Sequence, residues 1–318
     1  MITRLILILF LVCAGMTKIS EGQTLAERLR YTADAKLLII HGDDIGMCHS
    51  ANVAAIDALE KGIVTSGSVM VPCPWFMEIA AYAREHPDID LGLHLTHTAE
   101  WKHYRWGPLA GRSVTPGLVD ERGYMHPDVF SVVRSSNARE IEAETRAQIE
   151  FALKHGMKPT HLDSHMGTLY AIREFADVAI KLAEEYDIPL MLFHLTPHIR
   201  QMLDSRDFYT PAFVESLETR DFPLLDALYQ IHNTPVEKSE EFYRNVIRNL
   251  QPGVSELIIH LADASKEIEA ISSSHRQRVE DYRIFTSPEM REFIREQGVQ
   301  LIGWKDLYQL WKERKPIK

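Results

Sequence analysis

Cysteine is scarce: the 318-residue chain has 3. Past Cys13 only Cys48 and Cys73 remain, and neither stands in a CxxC pair. That excludes a disulfide-built scaffold and a zinc–thiolate site, while a single bridge stays open. An excess of basic charge is missing too. With a net charge of −10 and a pI near 5.8, no basic surface is available to neutralise phosphates, which excludes a nucleic-acid partner. No GxGxxG follows the first strand-like run and no P-loop occurs, so the nucleotide-binding versions of an α/β fold lose their signature. Low-complexity tracts and internal repeats are absent. What remains, 45% hydrophobic and 25% charged residues, is the composition of an ordinary globular protein.

A long apolar run is lacking as well. Leu5 to Val12 is apolar but far short of the about 20 residues that a membrane span needs. Arg4 precedes it, and small and polar residues follow to Ser20-Glu21-Gly22. A short positive region, a short apolar core and small residues describe a signal peptide over residues 1–22. The expectation is an exported protein, periplasmic or extracellular, with no stable membrane insertion once the segment is removed. Cys13 does not suggest a lipoprotein, because Val12 stands where a lipobox wants a small residue.

From residue 36 short apolar runs alternate with helical periodicity. Strands are expected at 36–41, 66–71, 88–96, 160–165, 189–194, 256–261 and 299–304. Helices are expected at 50–61, 76–85, 138–155, 172–186 and 288–296, with a mixed helical stretch before residue 251. Repeated β-then-α units imply a parallel sheet covered by helices, and about seven strands are closer to a barrel than to a small doubly wound sheet. A single domain over 23–318 is expected, carrying an insertion near 98–137 that is rich in Gly, Pro and aromatics. So long an aperiodic stretch is either functional or disordered, and its aromatic content favours function. A homodimer is compatible with such a chain.

The polar residues fall in a pattern. Asp43 and Asp44 follow the first strand, His94 ends the third, Asp163 and His165 end the next, and His194 and His260 end later ones. The C-terminal strand edge is where parallel α/β folds carry their active sites. Several strands all ending in Asp or His are hard to ascribe to packing, since such residues are costly to bury unless paired or metal-bound. Asp44, His94 and His165 are therefore expected to hold a divalent metal, with zinc or another first-row ion fitting the mixed oxygen and nitrogen donors and Mg2+ an alternative. Asp43 is expected to take a proton from an attacking water, although an Asp pair after a strand is as often a helix cap. His260, protonated, could donate to a leaving amine. His97, His161 and His194 are weaker candidates; by strand alternation His161 shares a face with Asp163 and His165 and could support the site.

These segments resemble the YdjC-like (ChbG–HpnK) carbohydrate deacetylases. The resemblance runs through LLIIHGDDIGMCHSANVAAIDALEKGIVTS, LGLHLTHT, KPTHLDSH, ELIIHLAD and the C-terminal stretch containing Arg278 and Asp281, in order, from about Lys36 to Leu307. It implies an irregular TIM-like barrel and metal-dependent removal of N-acetyl groups from a sugar. It also implies Asp44, His94 and His165 as ligands, Asp43 as base and His260 in the position of an acid. The chain departs from the pattern at Ile45, at Met166 to Leu169 after the Asp-Ser-His segment, and at Leu261 after the late His. Those changes touch the substrate-facing surface, beside which the aromatic segment Trp101 to Trp106 is expected to lie. There its rings could stack on sugar faces, or equally form a small satellite core. Another metal-dependent hydrolase (a phosphoesterase or a non-sugar amidase) or a non-catalytic carbohydrate binder would fit the same scaffold.

Overall fold

The computed structural model describes residues 22–203 and 206–314. The expected export segment lies, up to residue 21, outside them. Among the described residues nine strands are formed: β1 Lys36–Ile45, β2 Ser66–Val69, β3 Leu91–Leu95, β4 Leu162–Ser164, β5 Leu192–Phe193, β6 Leu224–Leu225, β7 Ala227–Gln230, β8 Gly253–His260 and β9 Gln300–Leu301. Every named pairing is parallel. Seven strands make the main sheet, in the order β4-β3-β2-β1-β8-β7 with β9 beside β1. β5 and β6 pair separately, and a bridge from Leu162 to Leu190 links β4 towards them. The result is a curled half-barrel, the irregular TIM-like architecture.

β1 is the axis of this sheet because it is apolar on both faces: Leu37 to Ile40 are fully buried between helices and barrel interior. The covering helices show the expected periodicity. The helix Ala138–Lys154 starts at Asn137, whose side chain accepts from Arg139 N and Glu140 N, and buries Ile141, Ile149 and Ala152. Among the described residues no helix is long and apolar enough to cross a membrane.

Some boundaries differ from expectation. The strand expected at 299–304 shrinks to Gln300–Leu301, and Trp304 instead opens the helix Trp304–Glu313. The stretch before residue 251 contains β6 and β7 as well as helices. β6 is too short to show a period of two, and the four residues of β7, ALYQ, do not alternate.

The insertion is pinned rather than free. Glu144, fully buried in the helix Ala138–Lys154, accepts from the backbone N–H groups of Leu109 and Ala110 and from Gln148. Glu140 accepts from Gly117 N in the same way. Burial pushes Glu144 up to about 7, so the folded chain holds an extra proton between the ordinary value of 4.5 and that point. Stability from this group is therefore greatest below pH 4.5 and falls as pH rises through 7. Glu144→Ala removes the acceptor of two part-buried backbone donors and of Gln148, and is expected to cost about 2–4 kcal/mol in urea melts and to flatten the pH dependence over that window. A loss under about 0.5 kcal/mol, the size of a neutral surface change, would mean the loop is held by other contacts.

Candidate metal centre

Consecutive residues of a strand point to opposite faces, so Asp43 and Asp44 could not both reach one site from a regular strand. β1 solves this with an irregularity. Its register against β2 shifts between Gly42 and Ile45, and Asp44 takes φ +61°, in the left-handed region that Asp tolerates better than most residues. Gly46 follows at φ +88°, with its N–H donating to Asn52 Oδ1. Both carboxylates consequently line the cleft. Neither caps the following helix, His49–Glu60, whose N-cap is Cys48 with no side-chain bond. The capping alternative does not apply.

Register assembles the rest. Asp43 lies opposite His260 on β8, and His94 on β3 lies opposite Asp163 on β4. His165 begins the turn after β4, and Met166 and Gly167 adopt positive φ as the chain bends there. Asp44 Oδ1 lies 3.2 Å from His165 Nδ1 and 3.5 Å from His94 Nε2. His94 Nε2 is also 3.7 Å from Asp43 Oδ2. His260 Nε2 stands 3.7 Å from Asp44 Oδ2, so five of the expected residues come together. His97 and His194 do not. His97 is a buried core residue bonded to Thr145, and His194 pairs with Asp226. His161 stacks on Trp304 beneath the site, where only Gly92 leaves room: a Cβ there would overlap the imidazole.

The donor atoms of Asp44, His94 and His165 all lie within 4.8 Å of one another. Asp44 Oδ1 is buried and has no hydrogen-bond partner, an orphan that a cation would satisfy. The residues therefore fit a metal ion. Two other donor groupings, His41–His161–Asp163 and Asp43–His94–Asp163, overlap this one. They are less suited, because both Asp163 oxygens are already engaged, Oδ1 by His94 Nδ1 at 2.7 Å and Oδ2 by His41 Nε2 at 3.2 Å. Asp163 instead does for His94 what an outer-shell carboxylate does for a ligating imidazole: it fixes the ring with Nε2 facing the site.

Four neighbours had no assigned role in the sequence reading. Arg278, from the helix His275–Phe285, donates to Asp44 Oδ2 at 2.5 Å. Burial alone would raise the Asp44 pKa; the Arg278 charge, with His165 and His94, overcomes it and holds the carboxyl well below the usual range. His41 sits beneath Asp43, with Nε2 3.2 Å from its Oδ1 and Nδ1 bonded to Ser66. Asp163 and Glu100 complete the set, the latter 3.1 Å from His165 Nε2. His41 could have been found by alternation, two residues before Asp43 on the same face; Arg278 and Glu100 carry no local signal. Burial, aided by Arg278, outweighs the nearby Asp44 charge and pulls His260 down to about 4.

A cleft of about 600 Å³ opens over these residues. The aromatic insertion divides between the two expected fates. Trp106 and Tyr104 belong to a satellite core with Met47, Met70 and the buried, free Cys48 and Cys73, which are not bridged. Trp101 also borders the cleft, with the Arg278 guanidinium 5.8 Å from its ring centre.

Fold and site together define a parallel (β/α) half-barrel with a histidine–carboxylate metal-type centre at its C-terminal strand edge. The chain belongs to the YdjC-like protein family, whose model matches residues 37–296. A carbohydrate deacetylase of Thermus thermophilus is 34% identical over 262 residues, covering 82% of this chain and 90% of that protein. Another, of Enterococcus faecalis, is 29% identical over 286 residues, covering 86% and 98%. A crystal structure from Enterococcus faecalis, of a protein suggested to act in cellobiose-phosphate cleavage, superposes with a TM-score of 0.70 at 28% identity, covering 86% of this chain and 99% of that one.

Proposed function

We propose that the chain is a metal-dependent carbohydrate deacetylase that hydrolyses the N-acetyl group of an amino sugar or oligosaccharide. The carrying observation is the buried, unbonded Asp44 oxygen facing two imidazole nitrogens, with a second carboxylate, Asp43, beside it at the floor of a sugar-sized cleft. Family membership and the deacetylase relatives supply the reaction class. A divalent ion, Zn2+ or Mg2+, held by Asp44, His94 and His165 would polarise the acetyl carbonyl and acidify water.

The chain's own groups do the rest. Asp43, held from below by His41, accepts the proton as the water oxygen attacks the acetyl carbon. The C–N bond then breaks, and the amine nitrogen needs a proton. His260, in register with Asp43 on the neighbouring strand, is placed to deliver it. Burial lowers its pKa, which favours proton release to the amine, and the proton taken up by Asp43 can replace the one it gives. Arg278 and Trp101 close the wall of the cleft, where sugar faces can stack.

Acetate release from a panel of N-acetylated glycans, using apo-protein supplied with Zn2+, Mg2+ or other ions in turn, tests this. Release with at least one pairing is expected; none from any glycan with metal bound would overturn it. Export through residues 1–22 belongs to the same reading and predicts a mature chain shortened by about 22 residues, as expected for a cleaved leader, in the periplasmic or extracellular fraction.

A further inference from the structure

Each imidazole at the centre has a carboxylate behind it, but the two carboxylates come from different places. Asp163, behind His94, is on a core strand. Glu100, behind His165, is on the insertion, five residues past the end of β3. A neutral imidazole carries one N–H, so what accepts it decides which nitrogen keeps its lone pair. His165 Nε2 is 3.1 Å from Glu100 Oε2, and Nδ1 is 3.2 Å from Asp44 Oδ1. With Glu100 in place, a ring that binds an ion keeps its one proton on Nε2 and offers the Nδ1 lone pair to the ion beside Asp44 and His94. Without it, the proton is free to move to Nδ1 and bond to Asp44, which would occupy two donor atoms at once. The next residue, Trp101, holds Glu100 in position: its ring packs 6.4 Å from His165 and 5.3 Å from Trp106 of the satellite core.

We propose that Glu100 is a positioning residue of the metal centre, which sets the tautomer of His165, and that the aromatic insertion thereby completes the site from outside the barrel. This rests on the metal reading of Asp44, His94 and His165 given above.

The test is Zn2+ affinity of the full chain, measured by chelator competition near neutral pH, for wild type, Glu100→Ala, Glu100→Gln and Asp44→Ala. Outer-shell partners of ligating histidines typically matter by about 10–100-fold in metal affinity, and Glu100→Ala should fall in that range. Glu100→Gln keeps an acceptor oxygen without the charge, so it should lie between Ala and wild type. Metal-free melting temperatures separate positioning from folding, because the apo Glu100→Gln protein should melt like wild type while binding Zn2+ more weakly. If Glu100→Ala fails to fold, Glu100→Gln decides alone. Wild-type affinity in the folded Glu100 variants, with Zn2+ binding lost in Asp44→Ala, overturns the role of Glu100 and leaves the centre standing. Wild-type affinity in Asp44→Ala overturns the centre itself.

Discussion

Asp43→Asn is expected to lower the rate of acetate release by about 10²–10⁴-fold, the contribution typical of a positioned general base, while the protein still binds its metal. The amide is nearly isosteric with the carboxylate, so packing against His41 and Ser68 is largely kept and only proton acceptance is lost. The effect should appear in kcat rather than in KM, since the proton moves only as water attacks. Single-turnover kinetics with a metal titration on the same sample would check both halves. An Asp43→Asn variant that kept kcat close to wild type would remove Asp43 from the reaction. One that also lost the metal would make it a ligand, returning the two aspartates to a shared role.

Arg278→Ala is expected to be the most destabilising single change near the cleft when metal is absent. Arg278 and Asp44 are both buried, at 4% and 2% exposure, and their oxygen–nitrogen contact is 2.5 Å. Removing one partner of such a pair leaves an uncompensated charge, a loss of about 3–5 kcal/mol. A metal ion would supply part of the missing positive charge, so the penalty should shrink when Zn2+ is added. Urea denaturation with and without Zn2+ measures the difference. An equal loss in both conditions would mean that Arg278 and the ion do not answer to the same carboxylate.

The sequence made the core of the site legible for a physical reason. Residues at the ends of buried strands are few, and Asp or His there stand out against Leu, Ile and Val. Asp43, Asp44, His94, His165 and His260 were visible in that way and do converge. The supporting groups were not. Arg278 lies in an ordinary charged helix, RQRVEDYR, and Glu100 in a loop without periodicity. Their importance depends on which distant side chain they meet, and no local pattern records that. The same limit explains β6 and β7, each held by neighbours rather than by its own alternation. The fate of the insertion was also undecided at the sequence level, because a Trp suits a sugar face and a satellite core equally well.

The Arg278–Asp44 contact joins residues 234 positions apart, and β1 is flanked by β8 and β9 from the last quarter of the chain. That is an order of events as well as a geometry. Pairings so remote in sequence form slowly, because a long loop must close before they reward it. A chain still emerging from the ribosome holds Asp43 and Asp44 early, with β2 beside β1, but lacks β8 on the other edge and the guanidinium that neutralises Asp44. A fragment that ends before β8 therefore lacks His260 and leaves the buried Asp44 carboxylate without its guanidinium partner.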